Sequence, residues 1–146
     1  MLNLTQSKSD HSFHIAELYQ WFNHEWQDVE PLITMKSGLI VPTPILALEN
    51  ECLLGGLVFT RFLSPLTNAH ALWINAVFVK PEYRHRGIGS RLIRFAETVM
   101  LKQQEPELLV YTHIPALYEK LGWTHVEKND DHVVMQSARL ALSSKL

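Results

Sequence analysis

Apolar residues near the N-terminus recur at the spacing of an α-helix. They lie in the stretch SDHSFHIAELYQWFNHEW, after a candidate N-cap at Ser9, Asp10 or Ser12. The apolar positions of this stretch are Phe13, Ile15, Leu18, Trp21, Phe22 and Trp26. The spacing predicts a first helix ending near Trp26. The next stretch, LITMKSGLIVPTP, is interrupted by glycine and proline, and it predicts a loop with one helical turn near residues 32–36.

The pattern then changes to that of β-strands. The segments ILALE and CLLGGLVFTRF are separated by Asn50-Glu51 and predict a hairpin. The turn SPLTNAH leads to a strand over residues 71–79, which Pro81 ends because proline offers no amide hydrogen to a ladder. Further along, ELLVYTH is a short apolar strand of the kind buried on both faces, and WTHVEK with HVVMQS predicts a final hairpin.

Two further helices separate these later strands. An apolar stripe predicts a helix from near Gly87 to about Lys102, and PALYEKLG predicts a short helix with Pro115 at an early position and Gly122 as its stop. The predicted order is helix, loop, three strands, helix, strand, helix, two strands. The strand–helix–strand unit over residues 71–110 indicates parallel pairing with a right-handed crossover. We therefore expect one α/β domain over residues 1–146.

Composition narrows the function classes. The 146 residues can bury a core without disulfides, and 47% hydrophobic with 19% charged residues is typical of a soluble globular protein. A net charge of −2 gives no general affinity for polyanions, which argues against a nucleic-acid-binding protein. No apolar run approaches the about 20 residues needed to cross a bilayer, and the first residues do not resemble a signal peptide. These features predict a cytoplasmic protein without a membrane partner.

The single cysteine and the last three residues carry weaker signals. Cys52 excludes an internal disulfide and fits a reducing compartment. Its place in the predicted strand ECLLGGLVF indicates a buried structural thiol rather than a nucleophile. The chain ends in Ser-Lys-Leu, which is a peroxisomal address in eukaryotes. We interpret this tail as a chance match because three residues are a weak signal.

The turn before the second helix combines basic residues with two glycines, in the sequence EYRHRGIGSRL at residues 82–92. The first backbone amides of a helix have no partners within it, and with the helix dipole they form an anion site suited to phosphate. Gly87 and Gly89 let a pyrophosphate approach the backbone, Arg84 and Arg86 add positive charge, and Ser90 adds a hydroxyl. The turn thus predicts an anion cradle. The alternatives are a capped, solvated helix start and a nucleic-acid contact.

The same stretch resembles the acyl-CoA-binding signature of the GNAT superfamily of N-acetyltransferases. That signature is Arg or Gln, two residues, Gly, one residue, and Gly or Ala, after a strand and Pro-Glu-Tyr. The resemblance runs without a gap over residues 77–93, and ALYEKLGW at residues 116–123 is similar to the family's tyrosine-bearing short helix and next strand. It implies the GNAT fold, a mixed twisted sheet split beside the cofactor with helices on both faces.

The resemblance also implies an acetyl-CoA site. The CoA pyrophosphate would lie on the backbone of Arg84, His85, Arg86, Gly87, Ile88, Gly89 and Ser90. The pantetheine arm would run along the open strand edge at Val77, Phe78 and Val79. We expect no metal, because the scattered histidines, including His132, show no metal-ligand spacing.

The implied reaction is direct attack of a neutral amine on the acetyl thioester. The backbone amide near Val77 would polarise the carbonyl, and Tyr118 would protonate the departing thiolate. The alternative for Tyr118 is a core tyrosine. Many family members carry a glutamate on the strand before the signature, and the matching position here is Asn75. Asparagine cannot take a proton, although it can hold a water or an amine by hydrogen bonds.

The general base is left open by the sequence. Candidates are Glu25 and Asp28 at the end of the first helix, and His113 at the end of the predicted strand ELLVYTH, each of which could instead be solvated or structural. In this fold the end of the first helix forms one wall of the acceptor site. The aromatic and acidic residues there, which suit a cationic amine, are Trp21, Trp26, Glu25, Asp28 and Glu30. For Trp21 we favour packing against the sheet.

These inferences combine into one functional hypothesis. We expect an acetyl-CoA-dependent N-acetyltransferase acting on a primary amine of a small molecule, either a polyamine or an aminoglycoside-like compound. The alternatives are acetylation of a peptide or protein N-terminus, and a non-catalytic acyl-CoA-binding module, since fold resemblance alone does not establish activity. The protein is expected to be a monomer or a homodimer.

Overall fold

The computed structural model describes residues 1–26, 35–36 and 38–144. Its strands are β1 (Leu2–Gln6), β2 (Met35–Lys36), β3 (Leu39–Ile40), β4 (Ile45–Glu49), β5 (Cys52–Leu63), β6 (His70–Val79), β7 (Leu108–Thr112), β8 (Thr124–Asn129) and β9 (His132–Gln136). Its helices are α1 (Ser12–Glu25), α2 (Ile88–Lys102), α3 (Pro115–Lys120) and α4 (Ala138–Ser144), with single 3-10 turns at Ser9–His11 and Pro81–Tyr83.

Seven strands form one mixed sheet in the order β1-β4-β5-β6-β7-β9-β8, and β2 and β3 form a separate two-stranded pair. Every neighbouring pair in the large sheet is antiparallel except β6 and β7, which run parallel. Parallel strands need a crossover, and α2 supplies it. The predicted strand–helix–strand unit and the predicted α/β class are therefore confirmed.

The helices cover both faces of the sheet. On the face we call the α2 face, Leu72 and Ile74 of β6 join one buried cluster with Leu92 of α2, Tyr118 of α3 and Leu140 of α4. On the opposite face, called the α1 face, α1 contributes its buried side chains to a second cluster with residues of β4, β5 and β6. Each fully buried leucine contributes about 1.5–3 kcal/mol to folding. Because both clusters contain such leucines, the packing on each face contributes to the stability of the sheet.

A bulge at Asn75 changes the direction of the side chains along β6. Phe59 of β5 pairs with Ile74, but its neighbour Val58 pairs with Ala76, so Asn75 is an extra residue in the ladder. Because side chains alternate along a strand, the extra residue reverses the alternation. Ile74 accordingly lies on the α2 face, whereas Ala76 and Phe78 lie on the α1 face.

The strands β6 and β7 separate just beyond this bulge. Their parallel register covers only Leu72 with Leu108, Trp73 with Leu109, and Ile74 with Val110. The rest of β6 remains paired to β5 on its other side, up to Val79 with Gly55. The sheet is therefore split between residues 75–79 of β6 and the carboxyl end of β7.

Several predicted elements are confirmed with small changes in their ends. The first helix lies at Ser12–Glu25, and the next predicted hairpin turns at Asn50 and Glu51, both with positive φ angles of 51° and 64°. Two positive φ angles are typical of the tight turn that matches the twist of a hairpin. In the stretch predicted as a loop, Met35–Lys36 and Leu39–Ile40 form a short strand pair, while residues 32–34 lie outside the described residues.

The prediction of a buried Cys52 is wrong. Cys52 is exposed. It is the first residue after the hairpin turn, where it pairs with Glu49 at the turn end of β4 and β5. A residue that closes a hairpin lies at the sheet margin, where neither helix layer covers it.

The sequence patterns also missed β1 and α4. The edge strand β1 pairs antiparallel with β4, and its Leu2 and Leu4 pack against the main cluster. Helix α4 begins after Ser137, whose hydroxyl donates a 2.5 Å hydrogen bond to the fully buried Glu97 of α2. Of the Ser-Lys-Leu tail, residues 145–146 lie outside the described residues.

Gly55 is required where β5 and β6 pair beside the split. A Cβ at this position would lie 2.6 Å from the backbone oxygen of Phe78. We predict that Gly55→Ala lowers the free energy of unfolding by about 1–3 kcal/mol, because two backbones must move apart. Gly89→Ala is the control, since its Cβ would meet only the Val79 side chain at 4.0 Å. Equal denaturation midpoints for the two variants would contradict this packing argument.

Candidate active site

A cleft of about 990 Å³ lies where β6 and β7 separate. It takes walls from both faces of the sheet, with Ile88, Val110 and Tyr118 from the α2 face and Ala76 and Phe78 from the α1 face. One end lies against the N-terminus of α2. The cleft therefore passes through the sheet at its split, and it ends on the predicted anion cradle.

The N-terminus of α2 offers unpaired amides to this cleft. Gly87 caps the helix with a φ of 79°, in the left-handed region that glycine adopts without strain. The Arg91 amide donates to the Gly87 carbonyl at 3.0 Å, so the amides of Ile88, Gly89 and Ser90 precede the first hydrogen bond of the helix. A Cβ at Gly87 would meet nothing within 4 Å. The space in front of these amides is open, as an anion site requires.

The two arginines of the turn have different positions. The Nε of Arg84 donates a 2.7 Å hydrogen bond to the Val79 carbonyl, and its guanidinium lies 5.3 Å from the centroid of the Phe78 ring. The guanidinium of Arg86 lies 5.4 Å from the Tyr83 ring, and Arg86 does not border the cleft. The arginine side chains thus hold the turn in shape, and the backbone faces the cleft.

Tyr118 borders the cleft from the α2 face. It lies on α3, which begins at Pro115, and its ring meets Trp123 edge to face at 5.1 Å between centroids. The side chain is only 4% exposed, and burial raises the pKa of Tyr118 well above its ordinary value. The phenol therefore keeps its proton at neutral pH. Since no hydrogen bond joins its hydroxyl to another described residue, this proton can be donated to a bound molecule.

Asn75 connects the cleft to a second cavity. The bulge leaves its side chain exposed at the point where β6 departs from β7. The second cavity has a volume of about 690 Å³ and also borders Tyr111 and Glu127. A molecule in this cavity would approach Asn75 from the side opposite to Tyr118.

The end of α1 contributes Glu25 and Trp26 to the cleft wall. Trp26 is 42% exposed. Trp21 packs against Phe78 at 5.3 Å between centroids, and the Nζ of Lys80 lies 5.7 Å from its ring. The preferred packing interpretation of Trp21 is therefore confirmed. Asp28 and Glu30 lie outside the described residues.

A cluster of rings lies where β7 ends beside the β8–β9 hairpin. Tyr111 stacks on His132 with 4.6 Å between ring centroids, and His113 lies 5.6 Å from His132. The Nδ1 of His132 lies 2.8 Å from Oδ1 of Asp131. This hydrogen bond is the main cause that lowers the pKa of the Asp131 carboxyl. All three rings border the cleft.

The family model of the acetyltransferase (GNAT) domain matches residues 44–125, which is more than half of the chain. The chain belongs to the GNAT acetyltransferases. It is accordingly an acetyl-CoA-dependent N-acetyltransferase, as its glycine turn and its split sheet indicated. A comparison with curated protein sequences gives no significant match.

Solved structures of this GNAT fold cover nearly the whole chain. A Brucella melitensis GNAT acetyltransferase with acetyl-CoA is 15% identical, with a TM-score of 0.70 and coverage of 94% of this chain and 88% of that chain. Thermoplasma acidophilum PaiA N-acetyltransferase with coenzyme A is 17% identical, with a TM-score of 0.63 and coverage of 94% and 98%. Arabidopsis thaliana Naa50 with the bisubstrate analogue CoA-Ac-MVNAL is 14% identical, with a TM-score of 0.64 and coverage of 94% and 98%.

The structure brings nearly all the predicted site residues of this GNAT protein to one cleft. The residues that border it are Glu25, Asn75, Val77, Phe78, Val79, Arg84, His85, Gly87, Ile88, Gly89, Ser90 and Tyr118. Arg86 is the exception, and His113 is also present. Sequence reasoning missed His132 and Tyr111, because only the pairing of β7 with β9 brings them beside the cleft.

The described part of the chain offers neither a metal site nor a helix that could cross a membrane. No group of three or more histidine, cysteine, aspartate or glutamate side chains in it is arranged to hold a metal ion. Among the same residues, no helix combines the length and the apolar character that crossing a membrane demands.

Proposed function

We propose that this acetyltransferase binds acetyl-CoA in the split between β6 and β7 and transfers the acetyl group to a primary amine of a small molecule. The observation that carries the proposal is the joining of the split to the open N-terminus of α2. Unpaired helix amides suit a pyrophosphate, and an unpaired strand edge suits the amide groups of pantetheine.

The cofactor would occupy the cleft from one end to the other. Its pyrophosphate meets the amides of Ile88, Gly89 and Ser90, and its pantetheine arm follows the β6 edge at Val77 and Val79. The Val79 carbonyl already accepts a 2.7 Å hydrogen bond from the Nε of Arg84. The pantetheine arm would therefore either displace the Arg84 side chain or bond to other backbone groups of the β6 edge. The CoA and acetyl-CoA complexes among the similar structures support this binding mode.

The transfer itself would be a direct displacement. The amine nitrogen bonds to the acetyl carbon as the carbon–sulfur bond breaks, and the amide near Val77 stabilises the developing oxyanion. Tyr118 gives its proton to the departing thiolate. Its phenol is protonated when the reaction begins, because burial raises its pKa and favours the neutral form.

The acceptor would enter from the α1 face. Glu25 and Trp26 there offer a carboxylate and an exposed aromatic ring to a cationic amine. Asn75 would hold the amine or a water at the junction of the two cavities. The second cavity gives a specific reason to keep a peptide N-terminus as the second candidate, because its 690 Å³ could hold residues beyond the first.

The proposal extends to the domain organisation, the oligomeric state and the compartment of the protein. Residues 1–146 would form one catalytic domain, acting as a monomer or a homodimer. The lone exposed thiol of Cys52 fits a reducing, cytoplasmic compartment. The alternative is a non-catalytic module that binds acyl-CoA. The protonated Tyr118 in the cleft favours an enzyme that turns acetyl-CoA over.

The cradle can be tested at Gly89. We predict that Gly89→Glu abolishes the thermal stabilisation by acetyl-CoA, because a carboxylate would occupy the phosphate position. A carboxylate in the first turn is favourable for the helix itself, so the unliganded variant should melt no lower than wild type. Gly89→Gln adds a side chain of nearly the same size without the negative charge, so it should weaken acetyl-CoA binding less than Gly89→Glu does. An unchanged acetyl-CoA affinity in Gly89→Glu would refute this placement of the pyrophosphate.

The proton donor can be tested at Tyr118. We predict that Tyr118→Phe lowers kcat by about 10²–10³-fold with the Kd of acetyl-CoA unchanged, because only the donated proton is lost. Rapid-mixing thiol release and calorimetry measure the two quantities. Tyr83→Phe is the matched control, since Tyr83 also borders the cleft. Equal turnover in Tyr118→Phe and wild type would remove the acid role.

The acceptor class can be tested with a panel of polyamines, aminoglycosides and short peptides, with thiol release as the readout. We predict that polyamines or aminoglycosides turn over best, and that Glu25→Gln raises KM for the cationic acceptor about tenfold with kcat nearly unchanged. Glu17→Gln, on the same helix and outside the cleft lining, is the control. A preference for peptides would select the second candidate, and stabilisation by acetyl-CoA without any turnover would indicate a binding module.

A further inference from the structure

The ring cluster at the end of β7 lies on the acceptor side of the sheet. Tyr111 pairs in register with Val134 of β9, and His132 lies two residues before Val134. Because side chains two residues apart share a face, His132 and Tyr111 stack on the same side of the sheet. That side is the α1 face, on which Phe78 and the end of α1 also border the cleft.

Asp131 fixes the tautomer of His132. An ionised carboxylate can only accept hydrogen bonds, so the Nδ1 of His132, at 2.8 Å from Oδ1 of Asp131, must be the donor. The Nε2 of the neutral ring then carries the free lone pair. The Tyr111 ring, stacked at an angle of 21°, restricts the imidazole plane further. A carboxylate that orients an imidazole in this way also stabilises the imidazolium that forms when the ring takes a proton.

The other candidates for a base lack such support. Glu25 is exposed, and within the described residues no hydrogen bond or ion pair holds its carboxylate. His113 is exposed, and its ring lies 5.6 Å from that of His132; among the described residues no hydrogen bond holds its imidazole. The titratable side chains around His132 and its part of the cleft are Asp131, His113, Tyr111, Glu127, Glu25 and Lys120. Of the carboxylates among these, only Asp131 is hydrogen-bonded to the imidazole.

We propose that His132, oriented by Asp131, is the general base that takes the proton of the attacking amine at Nε2, directly or through one water held by Asn75. This inference rests on the proposed acetyl transfer. As the nitrogen–carbon bond forms, the nitrogen gives its proton to His132, and the carbon–sulfur bond breaks to release a thiolate that Tyr118 protonates. His132 is 33% exposed in its side chain, so the imidazolium can return its proton to solvent.

The test compares His132→Gln with a matched control on the same hairpin. His125 forms a similar pair, with its Nε2 at 2.9 Å from Oε2 of Glu119, but it does not border either cavity. We expect His132→Gln to lower kcat/KM about 10²-fold at pH 7, with the Kd of acetyl-CoA unchanged and partial rescue by added imidazole. His125→Gln should match wild type in all three measurements.

The pH profile separates a base from a structural residue. The wild-type rate should rise with pH as the base loses its proton, and His132→Gln should lose this rise. In Asp131→Asn the ring loses the carboxylate that orients it, so the plateau rate should fall while the rise itself remains. Asp131 is a positioning residue in this scheme. A variant that was only partly unfolded would have a lower rate at every pH but the same shape of the pH–rate profile.

The outcomes are distinguishable. A wild type that is stabilised by acetyl-CoA but acetylates no amine refutes the proposed function, and the base assignment falls with it. An active wild type with an unchanged rate and profile in His132→Gln overturns the base assignment alone. A His132→Gln variant that loses acetyl-CoA binding, or that imidazole does not rescue while His125→Gln stays active, assigns His132 to structure and also overturns the inference.

Discussion

The site depends on one extra residue in the ladder between β5 and β6. Because Asn75 has no partner on β5, the side chains beyond it exchange faces, and Phe78 turns to α1. The same residue marks the point where β6 leaves β7, since their register ends at Ile74 with Val110. Backbone groups that lack a ladder partner need another one. In the proposed binding mode the amide groups of pantetheine would supply such partners, so the split would serve binding rather than be a defect in the sheet.

The proposed anion site at the start of α2 needs little net charge. The chain carries −2 overall, and the guanidinium of Arg84 is bonded to the Val79 carbonyl, while that of Arg86 lies over Tyr83. The amides of α2 are oriented partial charges fixed by the fold, so in the proposed binding mode they would act on a pyrophosphate without attracting polyanions in general. Arg84 lies in the turn before α2, and its hydrogen bond to Val79 ties this turn to the end of β6. The bond thereby fixes the α2 amides relative to the strand edge.

Features carried by contiguous residues could be predicted from the sequence, and features set by long-range pairing could not. The glycine turn and ALYEKLGW each lie within one short stretch, so the start of α2 and the short helix that carries Tyr118 could be predicted. Whether Cys52 lies within a strand or at its first residue depends on where the hairpin turns, and five residues of β1 show only two apolar positions. His132 is 19 residues from His113 in the chain, and only the β7–β9 register brings their rings together. The bulge at Asn75 changes the register without any local signal.

The two proposed proton-transfer groups differ in their surroundings in the way their tasks require. Tyr118 is buried on the α2 face, where desolvation keeps its proton in place until a thiolate forms beside it. His132 lies half-exposed on the α1 face, where an ionised Asp131 supports the positive charge it would gain and solvent can remove the proton. In this scheme one proton passes from the amine to His132 on the α1 face, and a different proton passes from Tyr118 to the sulfur on the α2 face. The split between β6 and β7 would let both groups act on one bound thioester, because the cleft there has walls from both faces of the sheet.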